Sequence, residues 1–185
     1  MNLFNELALL QKLGRPKGLE NAILAYLRAN KKVVSIAKTI SDAVISQAQA
    51  VVGLAQINFF DNIAGVANYT QVVAGESEHR IIYGIRIMEG ANASVPATNW
   101  TEGLATADVK NAELDIRVNG VIQLRALPLT VFTEADEDSQ AGFYMFKVPI
   151  VWGGQERLEA TVRFAVAPAT ANQNLQVQLY CVALI

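Results

Sequence analysis

The residues with the most chemistry to offer are few. The chain has one histidine, His79, and one cysteine, Cys181. One of each cannot supply the usual zinc ligand sets or a cluster of several histidines. A Ser-His-Asp arrangement would have to use His79, which lies between Glu78 and Arg80, and no Gly-x-Ser-x-Gly elbow accompanies it. His79 is therefore expected as a surface residue at a sheet edge. Cys181 falls on an apolar position of an alternating segment, which predicts a small core residue, and with no second cysteine an intrachain disulfide is ruled out.

Glu134, Asp136, Glu137 and Asp138 could offer oxygen ligands to calcium, but they lack the spacing and the glycine of an EF-hand loop. A solvated hairpin tip that discourages edge pairing is the expected reading. Gly14-Arg15-Pro16-Lys17-Gly18 has no preceding strand and no Gly-Lys-Ser/Thr ending, so it reads as a helix–helix turn and not as a phosphate loop. Trp152 is expected to pack at a strand end. Trp100 lies in the long segment Glu89–Val109, with Gly90, Pro96 and Gly103, and is the better interface anchor. A sandwich glycosidase would need two facing carboxylates, whereas the inward-alternating positions are almost uniformly apolar. No enzyme activity and no cofactor are expected.

The elements that would position these residues change character near residue 55. Leu3, Leu7, Leu10 and Leu13 make an apolar helical stripe, and the spacing resumes at Leu19, Ile23, Leu24 and Leu27. A third helix is expected from Val33 through Ile36, Ile40, Val44 and Ala48 to Val51 or Val52. Residues 1–50 hold seven basic and three acidic residues, a net +4. The remainder holds eight basic and fourteen acidic, a net −6. The expected organisation is a basic, α-helical N-terminal arm over 1–55 and a β domain over 56–185. Arg15, Lys17, Lys31 and Lys32 are the arm's candidate contacts with nucleic acid or an anionic membrane surface, although it lacks the Arg/Lys blocks of a dedicated nucleic-acid tail.

From Gln56 onward apolar residues alternate with polar ones. Leu114, Ile116 and Val118 alternate with Glu113, Asp115 and Arg117, and Asn119-Gly120 then supplies the residues of a type I′ hairpin turn. Ile81–Ile87, Leu158–Val166 and Leu175–Ala183 continue the pattern. Ile57–Phe60, Tyr69–Val73, Leu129–Thr133 and Phe143–Val151 bring the candidates to eight or nine strands. No helical crossovers separate them, which excludes parallel α/β folds. The expected class is mainly β: an antiparallel β-sandwich of about eight strands, with the jelly roll as its leading topology.

The basic arm, the eight or so short strands and the final strand reaching Ile185 together resemble the small jelly-roll structural proteins of phage and virus capsids. Segments such as Leu127-Pro128-Leu129-Thr130-Val131-Phe132 and Val148-Pro149-Ile150-Val151-Trp152 share that character. The resemblance is architectural and spans nearly the whole chain. It implies a self-assembling virion protein, made in the host cytoplasm, whose partners are copies of itself (as trimers or pentamers) and other virion proteins. It also implies an arm that orders neighbours or touches the genome. This arm is apolar and helical instead of Arg-rich, which favours subunit contacts through Leu3, Leu7 and Leu10. Deleting residues 1–50 is then expected to leave a folded domain that does not assemble. The competing expectation is a non-enzymatic binding module, such as a virion decoration or fibre protein, that takes carbohydrate or protein at Trp100.

Overall fold

A computed structural model describes residues 40–60, 79–91, 100, 104–133, 142–153 and 156–184. Eight strands are found among them: β1 (Ile40–Ala50), β2 (Gln56–Phe59), β3 (His79–Ala91), β4 (Glu113–Val118), β5 (Val121–Pro128), β6 (Phe143–Gly153), β7 (Leu158–Arg163) and β8 (Gln173–Leu184). A one-turn helix α1 (Ala107–Lys110) precedes β4, and a 3-10 turn (Leu129–Phe132) follows β5. The protein is mainly β, built of two antiparallel four-stranded sheets ordered β1-β8-β3-β6 and β2-β7-β4-β5.

The strands pair as a nest. β4 pairs with β5 through the turn at Asn119-Gly120, where Val118 faces Val121 and both turn residues take positive φ, 50° and 77°. That is the conformation a type I′ turn requires, and Asn and Gly tolerate it. Outward from this hairpin, β3 pairs with β6, β2 with β7 and β1 with β8, all antiparallel. The two sheets enclose one apolar core. Ile82, Ile85, Ile87, Leu175, Val177, Leu179 and Cys181 come from one sheet, and Ile57, Phe59, Leu114, Ile116, Ala160 and Val162 from the other. Burying each large aliphatic side chain contributes about 1.5–3 kcal/mol, so this layer is the main source of stability.

The structure corrects two expected elements. Ile40–Ala50 is a strand, not part of a third helix, and pairs along its whole length with β8. Residues 40–50, expected within the helical arm, thus belong to the sheet with β8. The strand hides its period because Gln47, Ala48 and Gln49 are all buried in succession, so neither face reads as continuously apolar. Leu129–Phe132 is a 3-10 turn, not a strand. Its three-residue repeat puts Leu129 and Phe132 on one side, and both are fully buried. The expected strand Tyr69–Val73 and the helices expected before residue 40 lie outside the described residues.

Candidate functional site

The buried polar side chains are the informative ones, because burial without partners is costly. Gln47 and Gln49 lie at the edge of one sheet and β2 at the edge of the other. The Gln47 amide oxygen accepts from the Phe60 backbone N–H, and Gln49 Nε2 donates to the Asn58 carbonyl at 2.8 Å. Side-chain amides thus stitch the two sheets together along the β1/β2 side, where no backbone ladder joins them.

The β5/β6 side is built differently. β6 departs from regular pairing between Ile150, opposite Ile82, and Met145, opposite Gly84, so Phe146–Pro149 bulge from the ladder. Pro149 cannot donate to a ladder, which suits it to an edge strand with a bulge. Val148, in the bulge, is 78% exposed. Behind it lies a groove of about 240 Å³ lined by Gln123 and Leu124 of β5 and by Tyr144, Phe146, Lys147, Val148 and Ile150 of β6. Exposed Val121 and Ile122 belong to the same edge. Edge strands that present apolar side chains are ready to pair with another chain.

A second polar cluster anchors the long β3–β4 connection. The Glu89 carboxylate, buried at the end of β3, accepts from the backbone N–H groups of Ala105 (2.8 Å) and Thr106 (3.0 Å) through Oε2. Its Oε1 accepts from the Thr106 hydroxyl and from Gln173 Nε2 at 2.8 Å. Gln173 Nε2 also reaches Thr106 Oγ1 at 2.6 Å. Charge-assisted bonds of this kind are stronger than neutral ones, so the returning root of the connection is firmly tied to β3 and β8.

Trp100, the expected interface anchor, is half-buried, and the residues flanking it lie outside the described set. Leu3, Leu7, Leu10, Arg15, Lys17, Lys31, Lys32 and the acidic stretch Glu134–Asp138 also lie outside it. His79 is the first residue of β3, with Leu184 and Gly153 as its backbone partners. It opens a strand, as expected, and that strand lies inside its sheet between β8 and β6. Cys181 is buried in the core, as its alternating position predicts. Trp152 is likewise fully buried, donates Nε1–H to the Glu156 carbonyl at 2.7 Å, and carries the Arg80 guanidinium 5.3 Å from its ring centre.

Among the described residues no group of three or more His, Cys, Asp or Glu is placed to hold a metal ion. No helix among them is long and apolar enough to cross a membrane. Comparison with protein-family models, curated proteins and solved structures finds no match. Sequence reasoning missed Glu89, Gln47 and Gln49 as organising residues. Their partners are backbone groups brought near by the fold, and no local spacing announces them.

Proposed function

We propose that this chain is a self-assembling structural protein of the capsid or virion type, with shell contacts made by its β-sandwich and its N-terminal arm. The observation that carries the reading is the strand order. An eight-stranded chain folded as one long hairpin and then rolled pairs β1 with β8, β2 with β7, β3 with β6 and β4 with β5, alternating between two sheets. The order β1-β8-β3-β6 against β2-β7-β4-β5 supports this jelly-roll topology. Viral capsid proteins, lectins and cupins all use that fold, so topology alone does not choose among them. The assembly reading draws further support from the apolar β5/β6 edge and its groove, a surface suited to a second copy.

Copies of the chain meeting through this edge would bury Val121, Ile122 and Val148, and the arm's stripe at Leu3, Leu7 and Leu10 would reinforce the contact. Negative-stain electron microscopy of the full-length protein tests the reading by showing whether closed or ring-shaped particles form. A truncation test must stop before Ile40, because removing residues 1–50 would also remove β1.

The Glu89 cluster favours a second reading, in which the anchored β3–β4 connection takes a ligand as a binding module does. Saturable carbohydrate or protein binding that is lost in Trp100→Ala, by a protein that stays monomeric, would support it.

A further inference from the structure

Of the nine large apolar side chains exposed among the described residues, six fall in two patches. Val121, Ile122 and Val148 lie at the β5/β6 edge. Val52, Leu54 and Val166, exposed by 43%, 39% and 65%, lie on the turn 51–55 and the connection 164–172. Backbone bonds fasten these two loops together. The Gly53 N–H donates to the Pro168 carbonyl at 2.8 Å, and the Phe164 N–H to the Ala55 carbonyl at 2.9 Å. Their exposed side chains therefore form one firm surface. It belongs to the far side of the sandwich, because β1 and β2 are the edge strands opposite β6 and β5.

The patches also differ in charge. The edge strands β5 and β6 carry Arg125 and Lys147, both exposed, and no acidic residue. Neither 43–60 nor 164–184 holds a charged residue at all. Two β5/β6 edges placed together would bring cations against cations, with no acid on either strand to offset them. The loop surface can meet the same edge without that repulsion, and both sides then bury apolar side chains. Its exposed residues include neither the aromatic nor the basic side chains that hold a protein at a lipid surface.

We propose that copies of this chain meet head to tail, the β5/β6 edge of one seated on the loops 51–55 and 164–172 of the next. This contact rests on the assembly reading above and supplies the surface that the edge meets. A head-to-tail contact leaves each pair with one free patch of each kind, so it propagates, and it closes into a ring where the rotation per subunit allows. Identical edges facing each other would stop at a dimer.

Two single variants of the full-length protein test it: Val148→Asp, which spoils the edge, and Val166→Asp, which spoils the loop surface. Both residues are well exposed, so each variant is expected to fold, and Leu54→Asp replaces Val166→Asp should that one fail. Light scattering is expected to find each variant monomeric alone. Mixed in equal amounts, with one chain 15N-labelled, they are expected to give a 1:1 heterodimer in native mass spectrometry and nothing larger. One sound edge then still meets one sound loop surface. A loop variant that assembles as the native chain does, or a mixture that stays monomeric, would overturn the head-to-tail contact alone. A native chain that stays monomeric would overturn the assembly reading and this contact with it.

Discussion

Asp115 and Arg163 form an ion pair at 2.7 Å across β4 and β7, and the carboxylate is 3% exposed while the guanidinium side is 39% exposed. The other oxygen of Asp115 accepts the Ala126 backbone N–H at 2.7 Å, so a single carboxylate links β4, β5 and β7. Ala126 has a φ of 49°, and the β4–β5 register shifts between Leu114 and Ile116. The carboxylate thus ties down the irregular stretch of β5 at Ala126, where the ladder shifts register. Asp115→Ala is expected to lower stability by about 1–3 kcal/mol in urea unfolding. The loss stays below that of a fully buried pair because the half-exposed arginine can turn to water.

The hydrogen bond from Arg163 holds the Asp115 carboxyl below the usual carboxylate range. The Ala126 amide lowers it further, and burial opposes both. A group whose pKa is depressed by folding binds fewer protons in the folded state. Its stabilisation is therefore fully present above the unfolded value of about 3.9 and lost as pH falls through the lower folded value. Asp115→Asn is expected to flatten the fall in melting temperature below about pH 4. An unchanged acid slope would show that Asp115 does not contribute to acid unfolding.

Ala126 occupies a left-handed conformation that costs a non-glycine residue about 1–2 kcal/mol. Ala126→Gly relieves that strain but frees the unfolded chain, so a gain of up to about 1 kcal/mol is expected. Differential scanning calorimetry reads it as a higher melting temperature.

Gly84 gives the opposite case. A methyl group there would overlap the Phe143 ring, which meets Tyr180 edge-on with centroids 5.1 Å apart. Gly84→Ala is expected to cost about 1–3 kcal/mol by overpacking, and Gly84→Ala combined with Phe143→Leu should recover part of it. A double-mutant cycle in denaturant checks the coupling.

Much of the fold is legible in the chain because its physics is local. Asn119-Gly120 specifies a turn whatever lies around it, and Leu158, Ala160 and Val162 show their buried face by simple alternation. β1 is illegible for a nonlocal reason: Gln47 and Gln49 face buried backbone groups of residues 58 and 60, so amides stand where an apolar period would be read. The candidate site is less legible still. The β5/β6 groove lies at the bulge Phe146–Pro149, and Pro149 hints only that β6 lies at an edge.

Glu89 offers a test of the anchored connection. Glu89→Gln replaces an oxygen that accepts hydrogen bonds with a donor that meets donors, so a loss of about 1–3 kcal/mol is expected. Amide hydrogen exchange at Ala105 and Thr106 should accelerate. Unchanged protection there would show that other contacts hold the connection.

Multi-angle light scattering on the full-length protein and its Val148→Asp variant tests the proposal that copies of this chain build a closed assembly through the β5/β6 edge. Negative-stain microscopy of both completes the measurement. Val148 is already exposed, so the variant is expected to keep its fold, with stability changed by no more than about 0.5 kcal/mol. Rings, shells or symmetric oligomers are expected for the native chain and a monomer for the variant. A native chain that stays monomeric across protein concentration and salt, or a variant that assembles as the native chain does, would contradict that proposal.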